Sequence, residues 1–199
     1  NQGGDVSIAT SRSSAGNSGG IAITTATSST YSGDTVLATG DASSESDPAG
    51  AIYVRTGKSS SSSGGRIDFA SGEGSGDGAS LSLTAGKSSG GLGGVVEIAS
   101  GGGATEGGKM RIRSGDGESS GGGSVEISVG VGQANKGGNV QVLAGESTSE
   151  GGDVGISAGK SETGFGGDVK ISGGDGANDM GGNVAIKSGK GQAFVDISS

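Results

Sequence analysis

The feature that most constrains this chain is a short unit, G-G-x-V-x-I-x-[S/A/T]-G, that returns at a nearly constant spacing along most of the sequence. Aligned on the first apolar residue of each alternating pair, the anchors are Val6-Ile8, Ile21-Ile23, Thr35-Leu37, Ile52-Val54, Ile67-Phe69, Leu81-Leu83, Val96-Ile98, Met110-Ile112, Val125-Ile127, Val140-Val142, Val154-Ile156, Val169-Ile171, Val184-Ile186 and Val195-Ile197. These are repeats 1 to 14. A fixed period of this kind is the signature of a stacked repeat architecture.

Within each unit the apolar residues alternate with polar ones and are mostly β-branched, which predicts an extended strand bounded by glycines. In such a strand Val169 and Ile171 share one face, and Asp168, Lys170 and Ser172 point the other way. The inner face continues to a small residue two positions on, such as Ser71, Ala85, Ser100 or Ala158. Helix is excluded by composition: 49 of the 199 residues are glycine, and each costs about 1 kcal/mol relative to alanine in a helix interior. Collagen is excluded too, because glycine does not fall at every third position and Pro48 is the single proline.

An ordinary globular core cannot be filled from 29% apolar and 3% aromatic residues. Nor can one unit stand alone. Burying a Val and an Ile gains roughly 1.5–3 kcal/mol each, whereas ordering the backbone costs about 1–2 kcal/mol for every residue fixed. Stacking supplies what the unit lacks, since ladder hydrogen bonds form and each apolar pair is covered by its neighbours.

Three stackings fit: one repeat per coil, two repeats per coil with two facing parallel sheets, or an antiparallel meander. Outward charge favours direct neighbours, because Arg111 then lies between Glu97 and Glu126, while two-repeat stacking sets Asp68, Glu97 and Glu126 in one column. The polar stretches favour the two-repeat coil. Their fourth residue before the first anchor is Tyr31, Leu92, Phe165 or Met180 in some repeats and Ser63, Asp77, Glu106 or Lys136 in others, a pattern of loops and not of a core wall. The expected fold is therefore all-β: a β-solenoid built from the fourteen short strand-turn repeats, two repeats per coil with two facing parallel sheets, forming a single repeat domain over 1–199. It is expected to be a segment or subunit of a longer array or filament. The last repeat arrives early, with Val195 following Val184 in "GQAFVDISS", and the longest insertion, "DASSESDPAG", precedes Ile52.

Composition also removes classes of chemistry. With no cysteine and no histidine there is no disulfide, thiolate nucleophile or imidazole base. A net charge of −8 argues against a nucleic-acid partner, and no apolar run approaches the length of a membrane span. The "GKS" triplets at 57–59, 86–88 and 159–161 lack the strand-to-helix setting of a phosphate loop. "GGD" at Asp5, Asp153 and Asp168 and "GGN" at Asn139 and Asn183 bring calcium into consideration, but the aspartate follows the glycines at once and departs from the calcium-binding β-roll nonapeptide. "TTATSSTYS" at 24–32 is the richest threonine stretch, yet no flat threonine ladder continues from it. Scattered carboxylates imply no acid–base pair, so no catalytic, cofactor or metal residue is expected, and the chain is not expected to be an enzyme.

Units such as "GGDVGISAGKSETGF" and "GGNVQVLAGESTSE" resemble the Gly/Ser-rich short-repeat arrays of large secreted fibre and adhesin-type proteins, including those of algae such as diatoms. The resemblance covers nearly the whole chain. It implies a structural or adhesive rod, extracellular or at the cell surface, that self-associates end to end or into a filament and meets matrix proteins or polysaccharide. A module binding cations, polysaccharide or a surface through its outward ladders is the alternative.

Overall fold

The computed structural model describes residues 3–44, 47–119, 121–133, 136–177, 180–190 and 194–196. Among them no helix and no paired strand is formed, and none is buried. Ile197, the second anchor of repeat 14, lies outside the described residues, as do Glu45 and Ser46 of the insertion. Contacts gather into two units, Asn1–Ile98 and Ala99–Ser199, and the division falls inside repeat 7.

What the structure does form is a succession of closed loops. In nine consecutive repeats, beginning with repeat 4, the residue two places before the next first anchor donates its N–H to the carbonyl of the glycine that ends the preceding segment. Gly94 to Gly86 at 2.9 Å, Gly123 to Gly115 at 2.9 Å and Gly167 to Gly159 at 3.0 Å are examples. The donor position is here termed the entry glycine and the acceptor the closing glycine. Where threonine precedes the closing glycine, its hydroxyl adds a bond: Thr39 Oγ1 donates to the Gly50 carbonyl at 3.1 Å and Thr56 Oγ1 to that of Gly65 at 3.0 Å.

The reason for glycine at the entry position is close approach. A Cβ placed there would stand 3.2 Å from the Ala85 Cβ at Gly94, 3.2 Å from the Ser114 Cβ at Gly123 and 2.8 Å from the Thr56 Cβ at Gly65. Both partners occupy inner-face positions, and the end of one segment and the start of the next come together backbone to backbone at the base of the loop.

Bulk in this contact sets the length of the closing bond. Six of the nine bonds measure 2.8–3.0 Å, and three measure 3.4 Å. The three long ones fall where the small residue is Thr56 or Val129, or where alanine replaces the entry glycine, at Ala79. Each of these adds carbon at the point of contact and levers the backbone apart.

The turn inside each loop follows a second rule. Two residues after the closing position stands either serine or glycine in every described repeat except repeat 3, which has Ala42. The serines hold the turn through their hydroxyls: Ser13 accepts from the Gly16 N–H at 3.0 Å, Ser59 from Ser62 at 3.0 Å, Ser88 from Gly91 at 2.8 Å and Ser161 from Gly164 at 2.9 Å. Ser28 and Ser147 do the same with an N–H two residues on. This is the local side chain to backbone bonding that favours serine in turns. In the glycine class, a Cβ would meet a carbonyl folding back over the turn, that of Asp77 at 2.7 Å from Gly74 and that of Lys136 at 2.6 Å from Gly132. The same clash would arise between Gly103 and the Glu106 carbonyl and between Gly176 and that of Met180.

These four carbonyls all belong to the fourth residue before the next first anchor, the position whose side chain varies so widely in the sequence. Its backbone is what the loop uses. The side chains there point to solvent, with Leu92 98% and Phe165 102% exposed.

Candidate functional site

Extended segments display their polar residues in outer rows, made of the positions just before, between and just after the two anchors. Within single segments, side chains on either side of one anchor meet. Arg66 and Asp68, on either side of Ile67, pair at 2.6 Å, and Asp168 and Lys170, on either side of Val169, pair at 3.4 Å. Ser82 and Thr84 hydroxyls lie 3.5 Å apart across Leu83.

The inner face is less sheltered than a core would be. First anchors are half-exposed, Ile67 at 42% and Val169 at 50%, and second anchors more so, Phe69 at 71% and Ile171 at 67%. In each pair the more sheltered anchor is the one that follows the preceding loop. Val6, ahead of the first loop, is 90% exposed.

The residues weighed as ligands in the sequence separate in the structure. Asp5, Asp153 and Asp168 stand at the start of three different outer rows, and Asp168 is paired with Lys170. Among the described residues no three Asp or Glu gather where a metal ion would sit. Asn139 and Gln141 line an open cavity of about 470 Å³ together with Gly138 and Val140, a shallow recess on one segment without a charged group.

The "GKS" triplets find their explanation in the loops. Gly57, Gly86 and Gly159 are closing glycines, and Ser59, Ser88 and Ser161 are turn serines whose hydroxyls already accept a backbone N–H. Phosphate binding needs free N–H groups converging on one point, and here Gly91, Ser62 and Gly164 spend theirs on the turn. In the threonine stretch Thr25 is turned inward, its Cγ2 at 3.7 Å from where a Gly33 Cβ would be, while Thr24 is in the outer row. Adjacent threonines on opposite faces do not build a flat ladder.

One outer row was not singled out by the sequence reading. Repeat 8 presents Lys109, Arg111 and Arg113 at its three outer positions, all exposed. Among the described residues the ion pairs are Arg66–Asp68 and Asp168–Lys170, so none engages this row. The signal that finds it is register: read as the plain string "KMRIR" it is a short basic run, and read in phase with the anchors it is one face of one segment. No described helix is long and apolar enough to cross a membrane. Compared with known proteins, the chain matches no family model, no curated protein and no solved structure.

Proposed function

We propose that this chain is a structural element, a β-solenoid rod of stacked two-repeat coils that serves as a segment or subunit of an extracellular filament, matrix or adhesive fibre. The observation that carries this reading is the run of nine loops closed by the same backbone bond. Each closure brings the end of one segment and the start of the next together at the base of a loop, so nine successive repeats share one structural unit, as a stacked array of coils needs.

The exposed anchors support it as well. A stripe in which Ile67, Val140 and Val169 are all 42–58% exposed is stabilised once coils stack and strand edges find partners. The mechanism is mechanical: ladders of backbone hydrogen bonds run along the rod, and the Val/Ile stripe binds coil to coil.

Electron microscopy of the purified chain is the direct test. Rods or filaments are expected, with a fibre reflection near about 4.8 Å along the axis. Seven stacked layers give a length of about 34 Å for one chain, and fourteen about twice that. A chain that stays monomeric and without sheet structure at high concentration would sink the proposal.

A further inference from the structure

The charge of this chain is divided by position. Of 13 Lys and Arg, seven stand in outer rows and six in loops; of 21 Asp and Glu, eight stand in outer rows and 13 in loops. The rows are close to neutral, and the loops carry −7 of the net −8. Against that background repeat 8 is the exception, with Lys109, Arg111 and Arg113 filling one row.

Elsewhere the row geometry neutralises itself. Arg66 reaches Asp68 and Lys170 reaches Asp168 across a single anchor. In repeat 8 the same two positions hold Lys109 and Arg111, and the third holds Arg113. Neighbouring charges in an extended row are about 7 Å apart, inside the Debye length of about 10 Å at 0.1 M salt. They repel, and no acid in the row relieves them. In the two-repeat coil proposed above, on which this inference rests, the row two repeats on is Asn139, Gln141, Leu143, also without an acid.

We infer that the Lys109-Arg111-Arg113 row is a lateral docking face for the acidic loops of a second copy of this chain. Several loops carry two acids and no base, among them those with Glu73 and Asp77, with Asp116 and Glu118, and with Glu146 and Glu150. Such a tip is short, so it meets the row without crossing other acidic loops. A long polyanion, whether nucleic acid or sulfated polysaccharide, laid along the row runs on over the acidic loops that flank each segment and is repelled there. End-to-end stacking then elongates the rod, and this contact gathers rods side by side.

The test compares the wild-type chain with a Lys109→Gln, Arg111→Gln, Arg113→Gln variant and with a Lys58→Gln, Lys87→Gln, Lys160→Gln variant. The second changes net charge equally but at loop positions. Light scattering and electron microscopy are recorded between about 0.01 M and about 1 M salt, where the Debye length falls from about 30 to about 3 Å. Wild type is expected to bundle at low salt and to separate into single rods at high salt. The row variant is expected to remain as single rods at low salt, with scattering at the level wild type shows at high salt, while the loop-lysine variant bundles at least as well as wild type. Bundling by the row variant equal to wild type overturns the inference and leaves the rod reading standing. Wild-type rods that never bundle but bind dextran sulfate through this row overturn it in favour of a glycan partner. Absence of rods in every chain overturns the rod reading and the inference with it.

Discussion

At the scale of single residues, the chain's abundance of glycine resolves into distinct jobs. Gly94 stands where a Cβ would lie 3.2 Å from the Ala85 Cβ, a tight contact, while Gly90, four residues earlier, has nothing within 4 Å. Gly94→Ala is therefore expected to destabilise by about 1–3 kcal/mol through overpacking. Gly90→Ala is expected to be neutral or to stabilise by about 0.4–1 kcal/mol by restricting the unfolded chain. Urea melts of the two variants, monitored by circular dichroism, check both; equal melts would remove the close-approach account. Ser88 belongs to the turn, and Ser88→Ala loses the bond to the Gly91 N–H, a loss of about 1 kcal/mol by the same measurement.

At the scale of the element, closure of the loop is tuned by the residue before the closing glycine. Val129 and Thr56 accompany bonds of 3.4 Å, while Ala85, Ala144 and Ala158 accompany bonds of 2.9–3.0 Å. Val129→Ala should let the Gly138 N–H approach the Gly130 carbonyl. Amide hydrogen exchange is the measurement: protection at Gly138 is expected to rise to the level of Gly123, whose bond is 2.9 Å, because exchange reports local opening. No change at Gly138 would mean that bulk at this contact does not govern the bond. The alternation of inner and outer residues was legible in the sequence, since it follows from the two-residue geometry of extended backbone. The serine-or-glycine rule of the turn was not. Those stretches look variable because the repeats differ in length after the turn position, and the register is kept only when counted forward from the anchors.

At the scale of the whole molecule, the proposed rod rests on the anchors as its coil-to-coil contact. Ile127→Asp and Val140→Asp each place a carboxylate in the inner stripe, where a stacked coil would have to strip it of water. Rods are expected to be lost in both variants by electron microscopy, while Gln141→Asp, an outer-row change beside Val140, leaves them intact. Rod formation by the Val140→Asp chain would show that the stripe is not the coil-to-coil contact. The cationic row of repeat 8 belongs to this scale too, because its significance comes from the distribution of charge over all fourteen repeats.

The sequence by itself determined the period, the alternation of faces and the places where the chain turns, because each depends on a few consecutive residues and on backbone geometry. The tertiary structure decided how one segment meets the next. The small residue of one segment and the entry glycine of the following one are separated by a loop, and their contact depends on how that loop closes. Serine hydroxyls, glycine turns and the bulk at positions such as Val129 and Ala79 settle the closure, and these act through space between residues that no local pattern joins.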